Sequence, residues 1–334
     1  MSLPPKEIPL GAMRFNSDSQ KLECFNGDIW MQVHTFSPDL NGGARGLFMG
    51  GSPSPTSGGD TIEYITIPSA GNGTDFGNLI GHSKYLGAFA SNTRGVAAGG
   101  ESGSNKDTID YVTIASTGNS QDFGNLQGAI TYVSAASNQT RGIVAGGRAP
   151  NETDRIDYVT IASTGNAKDF GNLTVSKSNT SGTASSTRAL FAGGADWPST
   201  FFKSTDFVTI ATTGNAFDFG DLTTSSAVAS TGASSSTRGL YSGWSQSPYK
   251  RIEYFTFASK GNAIIFGDLT SGVGWASGLS DCIRGVWGGG QTPATTNTIE
   301  YITIATQGDA VDFGDLTTVG HYSAGGCSNG HGGL

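Results

Sequence analysis

The chain has 334 residues, of which 51 are glycine, 36% are hydrophobic and only 14% are charged; this excludes a disordered chain and points to a turn-rich β protein. A formal net charge of −8 disfavours nucleic acid and anionic membrane surfaces as partners. Three cysteines, Cys24, Cys282 and Cys327, supply neither a disulfide framework nor a Cys-x-x-Cys metal pattern, and are expected to be free and buried.

Met1 to Leu10 lacks the apolar run that a signal peptide requires, and no later segment approaches the ~18 apolar residues of a membrane span, so a soluble chain without membrane insertion is expected. Gly11 to Val33 holds three short apolar and aromatic strands parted by turns at Asn16-Ser17-Asp18 and Asn26-Gly27-Asp28, which predicts a small N-terminal β-meander over residues 1–34. So few residues bury little surface alone, and Phe15, Phe25 and Trp30 are expected to dock on another chain. Residues 35–43 are polar, contain Pro38 and end in Asn41-Gly42-Gly43; they read as a linker.

From Ala44 to the C-terminus one module recurs. Copies begin at Arg45, Arg94, Arg141, Arg188, Arg238 and Arg284, spaced by 49, 47, 47, 50 and 46 residues. Such a period, built of short strands and glycine turns, predicts an all-β fold, a six-bladed β-propeller over residues 44–334. In the second copy Ile109, Tyr111 and Thr113 alternate with Asp110, Val112 and Ile114. A strand apolar on both sides must be covered on both, as in a sheet held between two others. The module reads as Arg94 to Ala98, Thr108 to Ala115, Gln121 to Leu126 and, innermost, a small-residue strand such as Tyr85 to Ser91, Ile130 to Ser137 or Ser225 to Ser234. The first copy lacks its innermost strand, and Thr318 to Asn329 is expected to supply it, closing the ring and removing free sheet edges.

Recurring residues have structural roles first. The doublets Gly50-Gly51, Gly99-Gly100, Gly146-Gly147, Gly193-Gly194 and Gly289-Gly290 end strands where positive φ is needed. Six arginines each precede one of Glu63, Asp110, Asp157, Asp206, Glu253 and Glu300 by 15–18 residues, which predicts buried ion pairs. Phe76, Phe123, Phe170, Phe219, Phe266 and Phe313 are expected to clamp neighbouring blades.

Catalytic and nucleotide motifs do not occur in the sequence, and no catalytic residue, metal or cofactor is assigned. His82 and His321, each in a Gly-His step, are expected near the axis in adjacent blades; a third metal ligand is not identifiable. Variation is the better guide to binding. Antiparallel order puts the loops after the Gly-Gly doublets opposite the uniform Thr-Gly-Asn turns. On that variable face fall Trp197, Phe201 and Phe202 in one loop, and Trp244, Tyr249 and Lys250 in the next, a set suited to stacking on sugar or protein. Covering a sheet edge is the competing role of these aromatics.

The Gly99-Gly100 strand end, the Ile109-Asp110-Tyr111 strand and the single large aromatic Phe123 together resemble the kelch repeat, which implies a propeller. Two departures stand out: phenylalanine replaces the usual tryptophan of the last strand, and Phe207 replaces the tyrosine in the fourth copy. The wording Arg-Gly-x-x-x-Gly-Gly, Ile-Asp-Tyr-Val-Thr-Ile, Asp-Phe-Gly-Asn-Leu is similar to repeat proteins of tailed phages of marine bacteria, cyanophages especially. Gly11-Ala12-Met13-Arg14-Phe15-Asn16, Leu22-Glu23 and Gly27-Asp28-Ile29-Trp30 resemble a short module at the ends of phage tail fibres and other virion appendages. These resemblances imply a virion structural protein, in tail fibre or head decoration, that contacts other virion proteins through residues 11–33 and presents the propeller to host-surface glycan or a neighbouring virion protein. The alternative is a propeller enzyme acting on polysaccharide.

Overall fold

The computed structural model describes residues 8–16, 21–32, 44–52, 58–225, 232–242, 249–291, 294–317 and 321–334. The chain divides into two compact units, Met1–Gly43 and Ala44–Leu334.

The smaller unit carries a three-stranded antiparallel sheet of Met13–Asn16, Lys21–Phe25 and Trp30–Gln32. Asn26 Oδ1 accepts from the backbone N–H groups of Asp28 and Ile29, an Asx turn that reverses the chain between the second and third strands. Register sets the two faces. Met13 lies opposite Cys24, which lies opposite Met31, and Phe15 lies opposite Leu22, so these five share one side. The other side carries Arg14, Glu23, Phe25 and Trp30. There Arg14 Nε bonds Glu23 at 2.8 Å, its guanidinium lies 4.2 Å over Trp30, and Phe25 and Trp30 sit 5.4 Å apart.

In the larger unit, six four-stranded antiparallel sheets follow one another, an all-β arrangement consistent with a propeller. The second is typical, running from inner strand Gly87–Ala90 through Arg94–Ala98 and Lys106–Thr113 to outer strand Gln121–Ile130. The first sheet takes its inner strand from the end of the chain: Gly325–Ser328 pairs with Arg45–Met49, Gly325 opposite Met49 and Ser328 opposite Gly46. Each inner strand touches those of the two neighbouring sheets, and Gly325–Ser328 touches both Gly87–Ala90 and Ser277–Ser280, completing a cycle.

The core lies between sheets rather than within them. Met49, Ile62 and Phe76 of the first sheet pack with Val112 and Ile114 of the second. Val286, Phe313 and Leu316 of the sixth pack with Phe48 and Ile67 of the first. The recurrent phenylalanine meets its own sheet's ring edge-on, Tyr111 and Phe123 with centroids 5.9 Å apart at 81°, a favoured aromatic geometry.

Three expectations are corrected. The inner strands are shorter than Tyr85 to Ser91 and Ile130 to Ser137: they span Gly87–Ala90 and Ser134–Ser137, because Tyr85 and Tyr132 take φ of 56°, a left-handed turn that extended chain cannot include. Within the two other segments assigned to inner strands, Ala233–Ser234 and Gly325–Ser328 are the strands, while 226–231 and 318–320 lie outside the described residues, as does the linker 35–43. Second, the recurrent arginines and acids do not pair. Arg94 shares a face with Tyr111 and Asp110 lies on the opposite one, since Arg94 pairs with Thr113 and Asp110 with Ala97, and successive residues of a strand alternate sides.

Each partner instead reaches a different neighbouring sheet. The Nη1 atoms of Arg45, Arg94, Arg141, Arg188, Arg238 and Arg284 donate to the carbonyls of Ile114, Ile161, Ile210, Phe257, Ile304 and Ile67 of the next sheet, at 2.5–3.0 Å. On the way each guanidinium covers an aromatic ring, as Arg94 does Tyr111 at 4.6 Å, which adds a cation–π contribution. The acids face backwards: Glu63, Asp110, Asp157, Asp206, Glu253 and Glu300 accept backbone N–H bonds from Thr317, Ile80, Gln127, Thr174, Thr223 and Thr270 of the preceding sheet, at 2.8–3.3 Å.

The uniform turns form a third link between sheets. Gly165 N–H donates to Phe123 O at 2.7 Å, Ala167 N–H to Asn125 O at 2.8 Å, and Asn125 N–H to Asn166 Oδ1 at 3.1 Å. The Gly-Asn-x turn of one sheet thereby caps the open outer edge of the one before it. Here glycine is required on both sides, for Gly124 has φ of 143° and a Cβ on it would lie 2.6 Å from Gly165 O. Third, Cys282 is exposed and Cys24 is half-buried, so that of the three only Cys327 is buried; all three cysteines are free.

Candidate functional site

Uniform interlocks leave one face free to vary. At that face the chain leaves each outer strand, turns once, and enters the next inner strand through a residue with positive φ: Tyr85, Tyr132, Asn179, Trp275 and Ser323, all between 55° and 56°. A backbone hydrogen-bond chain links these positions, from Ser323 N–H to Trp275 O, Tyr85 N–H to Ser323 O, Tyr132 N–H to Tyr85 O and Asn179 N–H to Tyr132 O, at 2.9–3.1 Å. The positive φ aims each N–H at the preceding carbonyl around the ring of inner strands.

The side chains at these positions, with Tyr322, form a mouth at the end of the inner strands. Tyr85 and Tyr132 lie 4.0 Å apart, tilted by 31°, Tyr85 meets Tyr322 edge-on at 5.8 Å, and Trp275 meets Tyr322 at 5.3 Å. The Tyr85 and Tyr322 hydroxyls are 3.2 Å apart. Burial, with the neighbouring Tyr322, raises the Tyr85 hydroxyl above its ordinary pKa, and burial raises that of Tyr132, so both are neutral hydrogen-bonding groups at any ordinary pH. Behind the rings lie Ser134, Asn179, Thr180 and Ser323. The hydroxyls of Ser134, Thr180 and Ser323 are buried with no hydrogen-bond partner.

The variable loops surround this mouth. After each Gly-Gly doublet the chain pairs briefly with the residue just before or at the entry turn: Glu101 with Lys84, Arg148 with Thr131, Ala195 with Ser178, Gln291 with Gly274 and Ser52 with Tyr322. In the fourth sheet Ala195–Asp196 and Thr200–Phe201 form a small hairpin. It brings together two of the residues chosen from sequence, Trp197 and Phe201, edge-on with centroids 5.5 Å apart. Trp197 is 37% exposed, while Phe201 and Phe202 are half-buried. Tyr249 and Lys250 stand on the following sheet's loop, where Lys250 Nζ donates to Thr270 O at 2.8 Å. Trp244 lies outside the described residues.

The opposite end of the inner strands is stoppered by the C-terminal residues. Gly332 N–H donates to Ser234 O at 3.2 Å, and His331 Nε2 sits 3.0 Å from Ala90 O and 3.3 Å from Ser137 Oγ. These contacts span the second, third and fifth sheets. Burial pushes the His331 imidazole down to about 4, so it is neutral here. The sequence offered no sign of this stopper beyond the Gly-His-Gly-Gly composition.

The two histidines singled out by sequence are not neighbours. His82 lies on outer strand Thr74–Ser83 with its side chain 62% exposed beside Asp60. His321 is buried, with Nε2 3.0 Å from Glu63. The offset arises because His321 aligns with Ser83: Gly325 and Gly87 occupy the same register in their sheets. Among the described residues no group of three or more His, Cys, Asp or Glu could hold a metal ion, and no helix is long and apolar enough to cross a membrane.

In the smaller unit the residues proposed from sequence part company. Phe25 is 4% exposed and Trp30 is half-buried beneath Arg14, whereas Phe15 is 66% exposed. Met13 and Met31, on the same side as Phe15, are also exposed. Sequence reasoning missed the two methionines, although strand alternation places them with Phe15. No protein-family model matches the chain, and no curated protein matches its sequence.

Proposed function

We propose that this chain is a kelch-like, six-bladed β-propeller protein of a tailed-phage particle, held to the particle by its N-terminal sheet and presenting the loop-bearing face of the propeller as its binding surface. One observation carries this reading. Each of the six sheets uses an arginine, an acid and a Gly-Asn-x turn, Gly308-Asp309-Ala310 in the sixth, to grip its neighbours, while the loops beside the entry turns differ in length and side chains. A scaffold repeated six times with one divergent face suits a rigid platform for recognition. The exposed Met13, Phe15 and Met31 side of the small sheet supplies an apolar surface for attachment.

The test is to purify particles from infected host cells and measure the chain by quantitative mass spectrometry, for the full chain and for one starting at Ala44. The expected result is stoichiometric incorporation of the full chain and loss of the shortened one. Particles free of the full chain would overturn the virion assignment. Equal incorporation of the shortened chain would move the attachment surface to the propeller.

A further inference from the structure

The side chains at the entry turns run against the local backbone. A residue held at φ near +56° is cheapest as glycine, and bulky side chains are strained there. In a chain with 51 glycines, three of the five described entry positions are nonetheless Tyr85, Tyr132 and Trp275. The backbone chain around the mouth needs only the N–H and C=O groups of these residues, so it does not explain the rings. A second cost lies directly behind them. The hydroxyls of Ser134, Thr180 and Ser323 are buried at 2%, 5% and 7% exposure with no partner. A buried hydroxyl without a bond leaves its desolvation uncompensated. Strained aromatics and unpartnered hydroxyls converge on one cavity, whose lining residues are all uncharged. Lys84, whose Nζ lies 5.1 Å from the Tyr85 ring centroid, is paired with Glu101 at 3.5 Å.

We infer that the axial mouth lined by the half-buried rings of Tyr85, Tyr132 and Trp275, with Tyr322 buried against them, is a binding site for a neutral saccharide, which stacks on the half-buried rings and bonds to Asn179 and the hydroxyls of Ser134, Thr180 and Ser323. The chemistry matches on both counts. The C–H face of a pyranose is apolar and fits an aromatic surface, and its hydroxyls both donate and accept, as serine, threonine and asparagine do. An uncharged lining selects against uronic and sialic acids, because the ammonium of Lys84 beside Tyr85 already has Glu101 as its counter-charge and a buried carboxylate needs a cation of its own. This deepens the proposed function by naming the ligand class, and rests on the loop-bearing face being the binding face but not on the particle.

The experiment uses the full chain and an array of neutral hexose, deoxyhexose and N-acetylhexosamine oligosaccharides together with acidic ones, with hits measured by titration calorimetry and saturation-transfer NMR. At least one neutral saccharide should bind and no acidic one. Tyr132→Ala and Trp275→Ala should each weaken binding tenfold or more, whereas Tyr132→Phe should stay within about threefold and Val311→Ala, exposed on an outer strand, should leave it unchanged. Thr180→Val is decisive, since it removes an unpartnered hydroxyl at constant shape. The inference requires it to fold at least as stably as the parent while losing tenfold in affinity. Failure of every neutral saccharide to bind would overturn the inference, as would binding that survives Thr180→Val and Trp275→Ala but is lost in Trp197→Ala. Particle incorporation is unaffected by these outcomes, so the attachment reading stands or falls separately.

Discussion

The backbone N–H of Thr317 donates to the carboxylate of Glu63 at 2.8 Å across a separation of 254 residues. The bond is the closing member of a set of six, and it lies beside the pairing of Gly325–Ser328 with Arg45–Met49. Removing residues 318–334 deletes that strand, the His321 contact to Glu63 and the His331 stopper together. The first sheet would then expose an unpaired edge and Leu47 and Met49 would lose cover. The expected outcome is a fall in the thermal midpoint of roughly 10 °C or more, followed by circular dichroism. A truncated chain that melts cooperatively within a few degrees of the parent would refute closure by this strand.

Glu63 predicts a specific acid sensitivity. Burial alone would raise its pKa, but the hydrogen bonds from His321 and from Thr317 N–H outweigh burial and hold it at about 2. A folded-state pKa below the unfolded value near 4.5 stabilises the protein above that value, and the contribution is lost as pH falls from about 4.5 through about 2. Its size is on the order of 3 kcal/mol. Urea unfolding across this range should show a steep acid limb that Glu63→Gln flattens. An unchanged limb in the variant would assign the loss to other carboxylates.

The recurrent acids should differ in what their removal costs. Asp206 and Lys177 form an ion pair at 3.4 Å with both side chains fully buried, so Asp206→Ala leaves an ammonium without its counter-charge and should cost about 3–5 kcal/mol. Asp157 has only Arg155, 28% exposed, at 3.2 Å, and its Oδ1 is buried without a partner. Burial raises its pKa, so its contribution to stability is present at low pH and is lost as pH rises through the raised value. Asp157→Asn keeps an acceptor for Gln127 N–H and removes the buried charge; at pH 7 it should change stability by less than about 1 kcal/mol. Equal losses in the two variants, by denaturant titration, would contradict this ranking.

These outcomes also show which features were legible in the sequence. Period, strand alternation and the Gly-Gly strand ends located the modules, because each reflects backbone geometry that only certain residues satisfy. The alternation also bears on the Arg94–Asp110 pairing, since it puts Asp110 and Tyr111 on opposite faces, whereas recurrence along the chain carries no information about face. The interlocks at Ile114, Ile161 and their equivalents could not be read, because a carbonyl acceptor leaves no mark on residue identity. The mouth was hidden for a similar reason: its entry turn is spelled Tyr, Tyr, Asn, Trp and Ser, with no glycine to betray the positive φ.

The turn interlock can be tested at two strengths. Asn166→Ala removes only the side-chain acceptor of Asn125 N–H and should cost about 1 kcal/mol. Gly124→Ala should cost more, because its Cβ would lie 2.6 Å from the Gly165 carbonyl at a φ of 143°, forcing two sheets apart. Thermal melts of both variants check the order. If Gly124→Ala were the milder change, the outer edge could not be held by close backbone contact.

The last prediction rests on the proposed attachment through the small sheet and concerns which of its sides would serve. Sequence alone grouped Phe15, Phe25 and Trp30, but the sheet separates them: Phe25 and Trp30 pack on each other under Arg14, while Met13, Phe15 and Met31 are exposed together on the opposite side. An apolar surface that has no cover in its own unit gains free energy when a partner covers it, at about 25 cal/mol per Å². Buried Phe25 can contribute only by keeping the sheet intact. Phe15→Ser should therefore abolish incorporation into particles while leaving the circular dichroism of the isolated segment 8–32, expressed as a fusion, unchanged from the parent fusion. Phe25→Ser should abolish incorporation as well, but with loss of the strand signal. If Phe15→Ser particles retained the chain at parental levels, the exposed side would not be the attachment surface, and Trp30 with its Arg14 cover would become the next surface to substitute.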